Sequence, residues 1–240
     1  MKILKIKTAI LALILTVTAT GLSAQGRFDV GLDLKNMHYW RGLRVSDGFI
    51  TAPTIGYFNG GFSFFSWGGI AIDGDFREVT NIISYSTGGF TVSLADIFNF
   101  SGLENPQYFN FDAEETNHII DLSVVYNFGD AAPIRLTMAT IIFGNDRDAL
   151  LNNRYSTYLE AASPIKREGF TVEPYLALGV ALSGDATNSL YGDRNFDLVN
   201  LGIAVSRDVK LGNFSMPVTT RFAMNPSLDQ VSVELALRLF

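Results

Sequence analysis

Residues 170–182 read FTVEPYLALGVAL. On an extended chain, Phe170, Val172, Leu176, Leu178, Val180 and Leu182 share one side, and Thr171, Glu173, Tyr175, Ala177, Gly179 and Ala181 share the other. Successive side chains of a strand point to opposite faces, so this stretch is predicted to be a strand with one apolar and one mixed face. The same rhythm recurs. Ile120, Leu122, Val124, Tyr126 and Phe128 alternate with Asp121, Ser123, Val125 and Asn127. Phe214, Met216, Val218, Thr220, Phe222 and Met224 alternate with a set that includes Arg221, and Val231 to Leu239 alternate with Ser232, Glu234, Ala236 and Arg238.

Extended over the chain, the pattern marks twelve runs: 27–40, 49–58, 61–72, 77–87, 90–99, 118–128, 134–143, 155–164, 170–183, 196–207, 212–224 and 229–240. Their connections differ by side. Tight turns at 59–60, 87–89, 129–133, 166–169 and 208–211 interleave with loops at 41–48, 73–76, 100–117, 144–154, 184–195 and 225–228, several of them longer and acidic. Short turns at one end and long loops at the other are the sidedness of an outer-membrane barrel, whose turns are periplasmic and whose loops are external. An even strand count puts both termini at the turn end. Ten strands is the nearest alternative, because runs two to four are the least regular.

The chain has 240 residues, of which 48% are apolar, 12% aromatic and 18% charged, with 22 glycines and no cysteine. That apolar fraction excludes a disordered chain. The missing thiol excludes a disulfide framework, a cysteine metal site and a cysteine nucleophile. A net charge of −6 with no basic stripe argues against a nucleic-acid partner. The charged fraction lies below the ~25% of ordinary soluble domains.

Residues 1–24, MKILKIKTAILALILTVTATGLSA, have the layout of a secretory signal peptide. Lys2, Lys5 and Lys7 precede an apolar run from Ala9 to Ala19, followed by small residues ending at Ala24. That run is too short for the ~20 residues of a membrane-spanning helix. Cleavage after Ala24 leaves 216 residues, 25–240, and takes the net charge to −9 by removing three lysines and no acid.

Alternation also fits a water-soluble β-sandwich, in which two apolar faces meet. Four features favour a barrel: the loop asymmetry, the export signal, the aromatics beside the short turns and the terminal phenylalanine. Tyr57, Phe58, Phe62, Tyr85, Phe90, Tyr126, Phe128, Phe170 and Phe214 would form one interfacial girdle. In hydrocarbon every backbone donor and acceptor must be paired internally, so a strand protein there must close on itself. The expected fold is all-β: a single antiparallel up-and-down transmembrane barrel of about twelve strands over 25–240, in the bacterial outer membrane. The chain ends on an amphipathic strand with a terminal aromatic, Phe240, as chains handled by barrel-assembly machinery do. Phe240 lies out of phase with Leu235, Leu237 and Leu239, which calls for a terminal kink or bulge. Pro53, Pro174 and Pro217 each lack a ladder donor and call for bulges or strand ends nearby.

The segment Met37-His38-Tyr39-Trp40-Arg41-Gly42-Leu43-Arg44-Val45-Ser46-Asp47-Gly48, followed by Pro53 and Phe65-Ser66-Trp67-Gly68, resembles the TorF-type porin family of Gram-negative outer-membrane barrels. In that family an aromatic-Arg-Gly and a Ser-Asp recur near the N-terminus. The match covers about 40 residues. It implies a pore-forming barrel and carries over no catalytic or binding residues. Physically, Arg41 and Gly42 read as a rim turn, the glycine permitting it and the arginine free to pair with loop acids.

On the mixed face the ionisable residues are Asp121, Arg135, Glu160, Glu173, Arg221, Glu234 and Arg238, the candidate lining of a lumen. Folding back about a turn at 166–169 sets Glu160 opposite Glu173. Such carboxylates repel unless a cation or proton intervenes, and Arg135 is the nearest cation. Arg221 and Glu234 lie close across the last hairpin. Two readings stay open: a constriction that selects solutes by sign, with four acids to three bases a lean to cations, or a salt-bridge network that fills the lumen. Loop acids Asp112, Glu114, Glu115, Asp146 and Asp148 match no calcium-loop spacing, so neither a metal nor a cofactor is expected. A lipid hydrolase needs an imidazole base, and His38 and His118 stand beside no nucleophile motif, so no catalytic residue is assigned. The expected function is passive passage of small hydrophilic solutes across the outer membrane. The alternative is a plugged barrel whose external loop 100–117 offers Tyr108, Phe109 and Phe111 to a partner. Oligomeric state is open.

Overall fold

The computed structural model describes residues 26–129, 132–183 and 186–240; the expected signal peptide lies outside them. Strands β1 (Arg27–Lys35), β4 (Ile50–Asn59), β5 (Phe62–Ala71), β6 (Arg77–Thr87), β7 (Phe90–Asn99), β8 (His118–Asn127) and β9 (Arg135–Gly144) pair antiparallel in chain order, with the short hairpin β2 (His38–Trp40) and β3 (Leu43–Ser46) set apart. They continue into β10 (Ser156–Ala162), β11 (Ile165–Arg167), β12 (Phe170–Ala181), β13 (Phe196–Leu211), β14 (Phe214–Asn225) and β15 (Gln230–Arg238). Strand β1 bonds β4 on one edge and β15 on the other, so the sheet closes. β10 and β11 both pair with β12 and are halves of one wall strand, which makes a closed barrel of twelve. A closed single sheet leaves no second sheet to face, and the sandwich alternative falls.

The wall shows its two faces in its burial. Phe28, Val30, Ile83, Leu94, Met138, Leu176, Phe222 and Val233 are exposed on the outside. Alternate residues such as Ala52, Ala139, Ala177, Ala204 and Ala223 are buried on the inside. At the short-turn end, Phe28 packs on Tyr57, Phe62 sits in register with Tyr85, and Phe90 packs on Tyr126, forming an outward aromatic ring. Phe58 departs from the expected girdle. Its parity is inward, and its ring meets Phe65 at 5.5 Å.

Prolines mark discontinuities as their missing donors require. Ser163-Pro164 is the break between β10 and β11, where Ser163 donates to the Pro174 carbonyl. The β14–β15 ladder starts at Val218, immediately after Pro217. The β4–β5 ladder omits Ala52 and Pro53 without losing register, so Pro53 causes no bulge. At the C-terminus Leu239 donates to the Leu32 carbonyl while Leu32 donates to that of Phe240. Two residues thus oppose one, the bulge that re-phases Phe240.

One expected strand divides. The run 27–40 leaves the wall after Lys35, because Asn36 substitutes its side chain for the ladder. Its amide donates to the Val233 carbonyl, and its Oδ1 accepts from the Leu235 amide. Residues 38–46 then form the hairpin β2–β3, which lies inside the barrel.

Candidate functional site in the barrel lumen

The hairpin crosses the lumen and touches four walls. His38 stacks on Trp67 of β5, and the Tyr39 hydroxyl donates to Asn200 Oδ1 of β13 at 2.7 Å. The Tyr39 amide donates to Glu234 of β15, and Arg41 bonds Asp121 of β8 through both terminal nitrogens, at 2.5 and 2.8 Å. Arg41 and Gly42 are the two central residues of its turn, with φ of 48° and 89°. Both angles are positive, as in the type I′ turn that closes a two-residue hairpin. Turn chemistry was legible here, but its place was not. The turn lies within the lumen, not at the rim, and the arginine's partner is a wall residue rather than a loop acid.

Burial works against the charged guanidinium of Arg41, yet the Tyr191 hydroxyl and Asp121 outweigh it and hold its pKa above the ordinary arginine value. Tyr191 belongs to the loop between β12 and β13, which also folds in. Its side chain is fully buried, and its hydroxyl accepts from Arg41 at 3.2 Å. Burial raises the Tyr191 pKa to about 12, against the opposing pull of Arg41. Asn225 donates to the carbonyls of both Gly42 and Tyr191, so hairpin and loop are held by one side chain.

Below this lid lies a belt of paired charges. Arg135 bonds both carboxylate oxygens of Glu173 at 2.8 Å and reaches Glu160 at 3.5 Å. Arg221 stands in register with Glu234 and bonds it at 2.7 Å, and Lys35 reaches the same carboxylate at 3.7 Å. Glu160 is in register with Ala177, not with Glu173, because the turn centres on Glu168-Gly169 and sets the pairing four residues away from the expected one. Arg135 nevertheless bridges the two carboxylates. Arg238 lies apart from the belt, in register with Asp33 and folded across Gly31. Strand parity did not count Lys35, a second cation on Glu234, or Arg41, which bonds Asp121; with Arg135 shared by Glu160 and Glu173, each of the four acids expected in the lumen lies within 4.0 Å of a cation. Glu78, also turned inward, faces the His38 ring.

A chain of hydrogen bonds links hairpin to belt. Tyr39 donates to Asn200, Asn200 donates to the Tyr158 hydroxyl at 2.8 Å, and Tyr158 donates to Glu160 at 2.6 Å. Between these groups remains a polar cavity of about 200 Å³, walled by Trp40, Tyr175 and the belt.

His118 stands on the outer face of β8 and is fully buried, because loop 100–117 folds down over the outer wall. Its Nδ1 meets Asp96 and its Nε2 meets the Tyr108 carbonyl, both at 2.6 Å, while Phe98 and Phe111 pack on the ring. Both ring nitrogens are engaged, so this imidazole anchors the loop and has no free position for a serine. Tyr108 is also tied down, its hydroxyl accepting from Asn81 at 2.9 Å, whereas Phe109 is 87% exposed. Of the loop acids, Asp146 accepts from Ser156 twice at 2.7 Å and Asp148 closes its own turn. Among the described residues no three metal-ligating side chains gather. No protein-family model and no curated protein sequence matches this chain.

Proposed function

We propose that the mature chain is an outer-membrane channel for passive diffusion of small hydrophilic solutes, with hairpin β2–β3 as its constriction. The observation that carries this reading is the polarity of the closed wall. The barrel exposes apolar side chains outward and encloses ion pairs and hydroxyls, the reverse of a protein made for water. Closure leaves no unpaired edge, which suits a hydrocarbon surround. The aromatic ring at the short-turn end suits an interface with lipid headgroups, and in this reading the short turns, with both termini, face the periplasm. The resemblance of 37–48 and 65–68 to TorF-type porins agrees with this assignment.

Planar-bilayer recording tests it. Purified folded protein should give discrete conductance steps with a reversal potential near zero in a salt gradient, since the belt is locally neutral. Arg41→Asn keeps a residue suited to the turn but leaves Asp121 uncompensated. It should raise the conductance and shift the reversal potential toward cations. Absence of steps from protein shown to be folded would refute the channel.

A further inference from the structure

Resting on the reading of the chain as an outer-membrane barrel, we propose that loop 100–117 is a membrane anchor, which presents Phe109 and Phe111 to lipid headgroups at the long-loop end. The loop lies where the bare wall would be unsuited to lipid. Asn81 of β6 and Asp96 of β7 stand in register, each two residues from an outward apolar side chain, Ile83 and Leu94. His118 opens β8 beside them. Uncovered, these polar groups would meet hydrocarbon without partners, at a cost. Tyr108 supplies the cover: its hydroxyl accepts from Asn81, and its carbonyl meets Nε2 of His118, whose Nδ1 meets Asp96. Arg77 holds a second point by donating to the Leu103 carbonyl at 3.2 Å. The loop is thus fastened to the outside of the barrel at the margin of its apolar face.

What the fastened loop turns outward is aromatic. Phe109 is 87% exposed although its neighbour Tyr108 is tied to the wall, and Phe111, 49% exposed, stacks one face on His118 and leaves the other free. Exposed aromatics also mark the long-loop ends of other strands: Phe49 before β4, Tyr155 before β10 and Phe196 at the start of β13. Among the described residues, the matching ends of β6, β7 and β8 expose none. Phe76 is buried, Phe98 is buried against Tyr108, and Phe100 is half-buried beside Arg77. Phe109 and Phe111 fill that sector. Their continuity with the exposed aromatics around the apolar wall makes lipid their partner. The depth follows from charge. Glu104, Asp112, Glu114 and Glu115 are exposed on the same loop, and carboxylates are expensive in hydrocarbon. The loop therefore rests at headgroup level, the depth that aromatic side chains favour in membrane proteins.

Tryptophan emission reads the contact. The full chain is folded into phosphatidylcholine vesicles, and Phe109→Trp and Leu94→Trp are each compared with wild type, whose Trp40 and Trp67 pack inside the barrel against Tyr191 and His38. The ring of Phe109 meets only that of Tyr108, at 5.2 Å, so the exchange leaves the fold intact. The emission added by Phe109→Trp should be quenched by lipids brominated near the headgroup, less by lipids brominated at the chain ends, and little by aqueous iodide. The emission added by Leu94→Trp, on the wall itself, should be quenched by bromine on the chains. Quenching of Phe109→Trp by iodide with no effect of brominated lipid overturns the anchor and leaves the loop facing water, open to a protein partner. Stronger quenching from the chain ends overturns the headgroup placement. The control separates this proposal from the reading beneath it. A silent Phe109→Trp with a quenched Leu94→Trp rejects the anchor alone, a quenched Phe109→Trp with a silent Leu94→Trp rejects the lipid-facing wall alone, and silence at both rejects the two together.

Discussion

At the scale of residues, Arg41 and Gly42 show how a local motif is put to use. A type I′ turn most often takes Asn or Asp before glycine, because their short side chains tolerate positive φ. An arginine there accepts backbone strain, and its guanidinium gains the bidentate contact with Asp121 across the lumen. The glycine cannot be replaced. At φ 89° a Cβ would be strained, and it would stand 2.2 Å from the Val199 carbonyl. Gly42→Ala should therefore unseat the hairpin by at least about 1–2 kcal/mol while the barrel remains closed. Trypsin cleavage of the folded protein within 36–49, at Arg41 or Arg44, should accelerate about tenfold. Unchanged resistance would show that the hairpin is held without its turn.

At the scale of elements, the hairpin is a docked piece whose seat contains a buried imidazole. Burial, with a smaller contribution from Lys35, depresses the His38 pKa to about 3. The groups facing it are the rings of Trp67 and Phe76 and the Glu78 carboxylate at 3.9 Å. A hairpin swung out of the lumen would titrate near the ordinary ~6.5. Between those values the undocked form binds a proton that the docked form does not. Docking is thus firmest above pH 6.5 and weakens as pH falls, by roughly thirtyfold at pH 5. Channel conductance should rise between pH 7 and pH 5, and His38→Phe should flatten that rise. A rise that persists in the variant would assign it to another group.

At the scale of the molecule, the outer surface makes its own demand. Leu94 sits in the middle of β7 on the outer face, in register with Ile83 on one side and Leu122 on the other. In a lipid-embedded barrel, Leu94→Arg should cost about 2–4 kcal/mol, read as a lowered urea midpoint for the protein folded in vesicles. On a water-exposed wall the same change would cost nearly nothing, so the measurement distinguishes the two surroundings. Loop 100–117 belongs to this scale too. By covering Asn81, Asp96 and His118 on the outer wall, it removes polar groups from the surface that the reading assigns to lipid.

Strand number, the polarity of each face and the division into short and long connections were readable from the chain, because each depends on neighbours two residues apart or on the turn chemistry between runs; the turn expected at 208–211 is the exception, since those residues extend β13 and the chain reverses at 212–213. The 170–182 stretch is enough to assign Tyr175 and Glu173 to the inner face. What fills that interior was not readable. Tyr39 meets Asn200 across 161 positions of sequence, and Arg41 meets Asp121 across 80. No local period encodes such contacts; they exist because closure brings distant walls within reach of one hairpin. For the same reason residues 37–40, which alternate like any wall strand, leave the wall. Their destination was set by the empty interior, by the Asn36 side chain that ends the ladder, and by a carboxylate waiting on the far side.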